Sequence, residues 1–111
     1  MTLKETLSKL EALGNEMRRS HNKKYGAGEN QFGVKLGDIR TLAKTIKTDH
    51  KLALALWETE NIDARLLATL IMDPKLLSLS EMDSLVNSFS FAQVADWLYA
   101  YVIKEYDEKE A

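Results

Sequence analysis

The sequence predicts an all-α protein, either an α-solenoid or a helical bundle, and three observations support this. Apolar residues recur at steps of three and four along most of the chain, as on one face of a helix. The 111 residues include only one proline and five glycines, so long stretches are free to be helical. The segment from Gly33 to Pro74 predicts three helices, joined by turns so short that the helices must pack side by side.

The first predicted element is an N-terminal helix within residues 1–20. Thr2 and Glu5 fit a capping box, in which each side chain bonds to the other's backbone N–H. Gly14 lies inside this helix and costs on the order of 1 kcal/mol relative to alanine, which allows a break there. Residues 21–37 follow as a glycine-rich loop without apolar periodicity. Loops of that length inside a compact domain are usually functional or mobile.

Three helices are predicted next: one from Asp38 to Lys47, one from Thr48 or Asp49 to Glu60, and one beginning at Asn61. The third is apolar almost all round, and a helix without a wide polar face must be covered on several sides. Stacked antiparallel helices provide that cover.

The chain after these helices predicts a stop, a short turn and a fifth helix. Pro74 lacks the backbone donor that a continuing helix needs. A short turn is expected from Lys75 to Leu77, and Ser80 with Asp83 predicts the start of the fifth helix.

The last predicted helix begins after Ser90, which forms a second candidate capping box with Gln93. About six helices result, and they pair at roughly the forty-residue period of HEAT-type repeats. We therefore expect one domain over residues 1–111, with the repeats in 38–104 and an acidic tail in 105–111.

Composition excludes several classes of protein. The chain has no cysteine, so it has neither disulfides nor thiolate metal sites, and no apolar run is long enough for a membrane span. The N-terminus is amphipathic, unlike a signal peptide, and we expect a cytoplasmic protein. His21 and His50 lack partners at metal-ligand spacing, so we expect surface histidines, no metal and no cofactor.

The net charge of −2 hides an asymmetry along the chain. The segment from residue 18 to residue 51 contains nine basic and three acidic residues. Its net charge is therefore +6, and that of the remainder is −8. A basic face on an acidic protein is a candidate anion-binding surface, and nucleic acid is one ligand of that kind. Ordinary solvated helix faces are the alternative.

A family resemblance lies in the same part of the chain. GVKLGDIRTLAK followed by LALALWETENIDARLLATLI resembles the DNA alkylation repair family, bacterial glycosylases built from HEAT-like repeats. The resemblance runs from about Lys24 to about Val102 and is strongest from Gly33 to Met72. It implies a HEAT-like α-solenoid, a DNA glycosylase acting on alkylated purines, and a positive concave surface that touches phosphates of double-stranded DNA.

The resemblance makes the basic residues candidate DNA contacts. Arg40 and the two lysines that follow it fall at steps of four and three, on one polar side of a helix. Arg65 lies in an apolar helix and is interpreted as a paired residue between repeats. The candidate DNA-binding residues are Lys23, Lys24, Lys35, Arg40, Lys44 and Lys47.

Asp96 is the candidate catalytic residue. Active family members carry a functional tryptophan four residues before an aspartate that stabilises the cationic sugar. Asp96 matches that aspartate, but Ala92 stands at the tryptophan's position. Trp97 points about 100° away from the face that Ala92 and Asp96 share, so it does not replace the missing ring. An exposed residue, or one paired with a neighbouring repeat, is the alternative for Asp96.

These observations predict a shortened family member that binds DNA weakly, without sequence preference, and has no complete glycosylase site by itself. The family's further arginine and second tryptophan belong to repeats that would follow Ala111, and a fragment of a longer enzyme would give the same residues. The alternative is a helical protein-interaction module that kept the scaffold without binding DNA.

The last helix carries more apolar surface than one inner face hides. An uncovered apolar patch marks an interface, and pairing across a two-fold axis closes it. The sequence therefore predicts a homodimer through the C-terminal helix, with candidate interface residues Phe91, Trp97, Leu98 and Tyr101.

Overall fold

The computed structural model describes residues 1–24, 30–86 and 92–103, and over these residues the chain is helical, without a strand. This confirms the predicted all-α class. The elements are α1 (Leu3–Ala12), α2 (Glu16–Lys24), α3 (Leu36–Ile46), α4 (His50–Glu58), α5 (Ile62–Ile71), a 3₁₀ turn (Pro74–Leu76), α6 (Leu79–Val86), α7 (Ala92–Leu98) and a π turn (Tyr99–Ile103) that continues α7.

The N-terminal helix is divided in two at Gly14. The capping box at its start is confirmed, since the N–H of Glu5 donates to Thr2 Oγ1 at 3.1 Å and the N–H of Thr2 donates to Glu5 Oε1 at 3.2 Å. A Cβ on Gly14 would lie 2.5 Å from the carbonyl oxygen of Phe32. The break therefore lies where glycine alone lets a distant part of the chain approach.

The predicted loop over residues 21–37 is longer than the non-helical segment in the structure. Helix α2 extends to Lys24 and α3 begins at Leu36, while residues 25–29 lie outside the described part of the chain. Residues 30–35, which we call the strap, are not helical but are bonded on both sides. The N–H of Asn15 donates to the carbonyl of Phe32 at 3.2 Å, and the N–H of Ile62 donates to that of Asn30 at 3.0 Å.

Helix α5 is the centre of the structure. Its start is confirmed by Asn61, whose side chain accepts a hydrogen bond from the N–H of Ala64 at 3.0 Å. Every residue of α5 except Leu70 is buried, and the helix packs against α3, α4 and α7. The prediction that neighbouring helices cover it on several sides is confirmed.

The cap of helix α6 lies two residues earlier than the predicted Ser80 and is formed by a different pair. The N–H of Glu81 donates to Ser78 Oγ at 3.1 Å, and the N–H of Ser78 donates to Glu81 Oε1 at 2.9 Å. The capping box is therefore Ser78 with Glu81, not Ser80 with Asp83. The later predicted box, at Ser90, falls outside the described residues.

The C-terminal helix turns most of its apolar side chains inward. Trp97 is 5% exposed and Leu98 is fully buried, as α7 packs on α5. The uncovered apolar surface from which we predicted a dimer interface is therefore not found at these two residues. Tyr101 is 38% exposed, and Phe91 lies outside the described residues. The homodimer stays a prediction.

Candidate nucleic-acid interface

The exposed side of α3 carries three of the predicted DNA contacts. Ile39 and Leu42 are buried against the core, and this fixes the rotation of the helix. The intervening positions Arg40 and Lys44 are consequently exposed, as is Lys47 directly after the helix. The apolar periodicity of α3 thus places these cations in water, where they are available to an anion.

A hollow of about 370 Å³ joins this basic side of α3 to the π turn. Arg40, Lys44 and Lys47 contribute to its lining with Tyr101, and no described lining residue is acidic. Three positive charges around one concave surface attract an anion more strongly than the same charges spread over a convex face. We call this the basic hollow.

Arg40 is held in place by two aromatic residues of the C-terminal helix. Its guanidinium carbon lies 4.7 Å from the centre of the Trp97 ring, and its Nη2 donates to the hydroxyl of Tyr101 at 3.4 Å. The Trp97 and Tyr101 rings meet edge to face, with centroids 5.7 Å apart. Contacts of this geometry are favourable, so they orient the tyrosine as well as the arginine.

The other predicted DNA contacts lie elsewhere. Lys35, the residue before α3, lines a second hollow of about 460 Å³ with Arg18 and His21 from α2. Lys23 and Lys24 are exposed in the last turn of α2 and line neither hollow. The structure therefore brings together only half of the predicted set.

Asp96 is exposed on α7, one residue before the buried Trp97. Ala92 begins the same helix four residues earlier, at the position where active family members carry a tryptophan. The structure thus provides a solvated carboxylate on α7, whereas the sequence lacks the ring that would form the rest of a catalytic site.

Arg65 has a different environment from Arg40. It is 7% exposed, its guanidinium lies 4.7 Å from the Trp57 ring centre, and its Nε donates to the Trp57 carbonyl at 3.1 Å. Burial lowers the pKa of this guanidinium. These contacts show that Arg65 joins α5 to α4, whereas its predicted place between repeats stays a prediction.

Asp63 holds the strap in place by hydrogen bonds, a role that the sequence interpretation missed. Its side chain is fully buried and accepts hydrogen bonds from the backbone N–H groups of Phe32 at 2.6 Å, Gly33 at 3.2 Å and Val34 at 3.0 Å. A carboxylate in the first turn of an otherwise apolar helix was the available signal. Through these bonds Asp63 holds the strap, and the strap ends at Lys35 where α3 begins.

Two kinds of site are not found in the part of the chain that the structure describes. Among its His, Asp and Glu residues, no group of three or more is arranged to hold a metal ion. None of the described helices has the length and apolar character required to cross a membrane.

Comparison with known proteins identifies the family. The family model described as DNA alkylation repair enzyme matches residues 6–111. The chain belongs to the DNA alkylation repair family. A search of curated proteins finds no match.

A solved structure adds a relative within this family's fold. It is described as "a new family of proteins related to the HEAT-like repeat DNA glycosylases with affinity for branched DNA structures". Over 90% of our chain, the two share 37% sequence identity with a TM-score of 0.83. This member of the family therefore has the predicted HEAT-like helical fold, and it spans 43% of the length of the solved chain.

Proposed function

We propose that this protein binds branched DNA through its phosphates, at the basic side of α3, and that it has no complete glycosylase site of its own. The observation that carries the proposal is the basic hollow, where Arg40, Lys44 and Lys47 meet without an acidic neighbour among the described lining residues. The affinity of the similar solved protein for branched DNA supports the choice of ligand.

Phosphate contact, rather than base reading, suits the side chains in the basic hollow. Lysine is a flexible point charge, whereas base-edge recognition commonly uses bidentate arginine, asparagine or glutamine. Arg40 already has its guanidinium against Trp97 and Tyr101. Lys44 and Lys47 therefore supply the main contacts, and binding without sequence preference follows.

Base excision is not expected from the residues around Asp96. A carboxylate stabilises a developing sugar cation best where water is excluded, and Asp96 is exposed. With Ala92 in place of the family's tryptophan, no ring at that position covers the sugar. The test is release of a methylated purine from duplex DNA, which we expect at the spontaneous rate. Faster release that is lost in Asp96→Asn would contradict this part of the proposal.

The DNA-binding part is tested by charge reversal with a matched control. Lys44→Glu with Lys47→Glu should weaken binding of a labelled four-way junction at least tenfold at low salt, since two phosphate contacts become repulsive. Lys4→Glu with Lys9→Glu changes the net charge equally, on exposed positions of α1, and should have a much smaller effect. Fluorescence anisotropy on the junction and on a duplex of equal length measures both.

A protein-interaction module is the competing proposal, and a homodimer through the C-terminal helix belongs with it. A wild-type chain that binds neither junction nor duplex at low salt would favour this alternative. Light scattering at high protein concentration tests the dimer separately, since a monomer mass would exclude it.

A further inference from the structure

Tyr101 is a fixed aromatic surface inside the basic hollow. The residue is 38% exposed, although its ring meets that of Trp97 edge to face and its hydroxyl accepts a hydrogen bond from Arg40 at 3.4 Å. A side chain with two such contacts loses little further rotamer freedom when a ligand packs on it, so it is preorganised for stacking. It also lies in a π turn, a feature frequently found at functional sites.

An aromatic ring beside cations that can bind phosphates favours single-stranded over double-stranded nucleic acid as the ligand. Proteins that bind single strands place bases on aromatic side chains and hold the phosphates in a positive groove. In a regular duplex each base is already stacked on its neighbours and has no free face. At a flap, or at a branch point that leaves nucleotides unpaired, those nucleotides offer both a phosphate and a free base.

We infer that the basic hollow binds an unpaired nucleotide at a branch point, with its phosphate at Lys44 and Lys47 and its base against the Tyr101 ring. Thr48 adds a hydroxyl to the lining, and Ala43 and Leu70 add apolar atoms, which suit a base or sugar better than a second phosphate. The inference rests on the proposed function and explains how branched DNA is preferred over duplex.

The test uses two labelled probes of equal charge, a continuous duplex and a duplex with a short single-stranded flap. The first unpaired flap nucleotide is 2-aminopurine, whose fluorescence reports stacking. Tyr101→Leu should weaken binding of the flap probe about tenfold, in line with the loss of one base–aromatic stack, and change duplex binding less than twofold. Tyr101→Phe keeps the ring and should keep the preference for the flap.

Wild-type protein should quench the 2-aminopurine, and Tyr101→Leu should not. This signal also tests stacking without any substitution, should Tyr101→Leu fail to fold. Equal weakening of both probes by Tyr101→Leu, an unchanged flap preference in that variant, or no quenching by the wild-type chain would each overturn the inference. If Lys44→Glu with Lys47→Glu abolishes binding while Tyr101→Leu changes nothing, the proposed function stands and the inference alone fails.

Discussion

The guanidinium of Arg40 lies over the ring of Trp97, 4.7 Å from its centre, and this contact joins the basic helix α3 to the C-terminal helix. It places a cation of the candidate DNA surface on the helix that carries the candidate residue Asp96. Arg40 thus has a packing role as well as a charge, whereas Lys44 and Lys47 are exposed.

Replacing Arg40 with lysine should separate the two roles. The charge remains, but the planar stack on Trp97 and the hydrogen bond to Tyr101 are lost. We expect the free energy of unfolding to fall by about 0.5–1 kcal/mol, typical of an exposed cation–π contact, while duplex affinity changes less than twofold. Urea unfolding measures the first quantity, with Lys44→Arg as the control. A variant as stable as wild type would show that the stack contributes nothing.

Removing the carboxylate of Asp63 should be the most damaging single change in the scaffold. Asp63→Ala leaves the N–H groups of Gly33 and Val34 buried, and that of Phe32 partly buried, without their acceptor. At about 1–3 kcal/mol for each unsatisfied group, the loss is roughly 3 kcal/mol or more, a large part of a small domain's stability. Asp96→Asn, at an exposed carboxylate, should stay within about 0.5 kcal/mol of wild type. Similar denaturation midpoints for the two variants would refute this role for Asp63.

Replacement by alanine should change the stability of the protein in opposite directions at Gly33 and at Gly37. Gly33 has φ +76°, and a Cβ there would lie 2.5 Å from the carbonyl oxygen of Asn15. Gly37 lies in the first turn of α3, with nothing within 4 Å of the added Cβ. Thermal unfolding should show Gly33→Ala destabilised by more than about 1 kcal/mol and Gly37→Ala stabilised by about 0.5–1 kcal/mol. A neutral Gly33→Ala would mean that the strap shifts freely.

The capping box of α1 should weaken in acid. Hydrogen bonds from Thr2 hold the pKa of Glu5 below its ordinary value. Because the pKa is lower in the folded chain, the stabilisation is present at neutral pH and is lost as the pH falls through the unfolded and then the folded pKa. Glu5→Gln should therefore be less stable than wild type at pH 7 and converge with it in acid. A difference in unfolding midpoint that stays constant down to pH 3 would contradict this.

Local signals predicted much of the fold. The starts of α4 and α5 follow from Asp49 and Asn61, whose side chains cap the helix that each precedes. The possible break at Gly14 was also visible, but the contact with Phe32 at that break and the length of the strap did not follow, because both depend on contacts between distant parts of the chain. The role of Asp63 as an acceptor also could not be predicted, since it is visible only once the strap lies beside α5.

The candidate site was predictable to a similar extent. Helical spacing alone placed Arg40, Lys44 and Lys47 on one side of α3. The sequence did not show that Tyr101 would complete the same hollow, or that Lys35 would line another, since helix packing decides both. The number of apolar residues in the last helix overstated its exposed apolar surface, because α7 packs on α5 within the same chain and Trp97 is buried.

The central claim is that Lys44 and Lys47 contact DNA phosphates, and the salt dependence of junction binding tests it most directly. Each lost phosphate contact should reduce the slope of log affinity against log salt by about 0.9. Replacing both lysines with alanine should therefore lower affinity for a four-way junction and reduce the slope by about 1.8. A double variant with the affinity and slope of the wild-type chain would show that the basic hollow is not where this protein binds DNA.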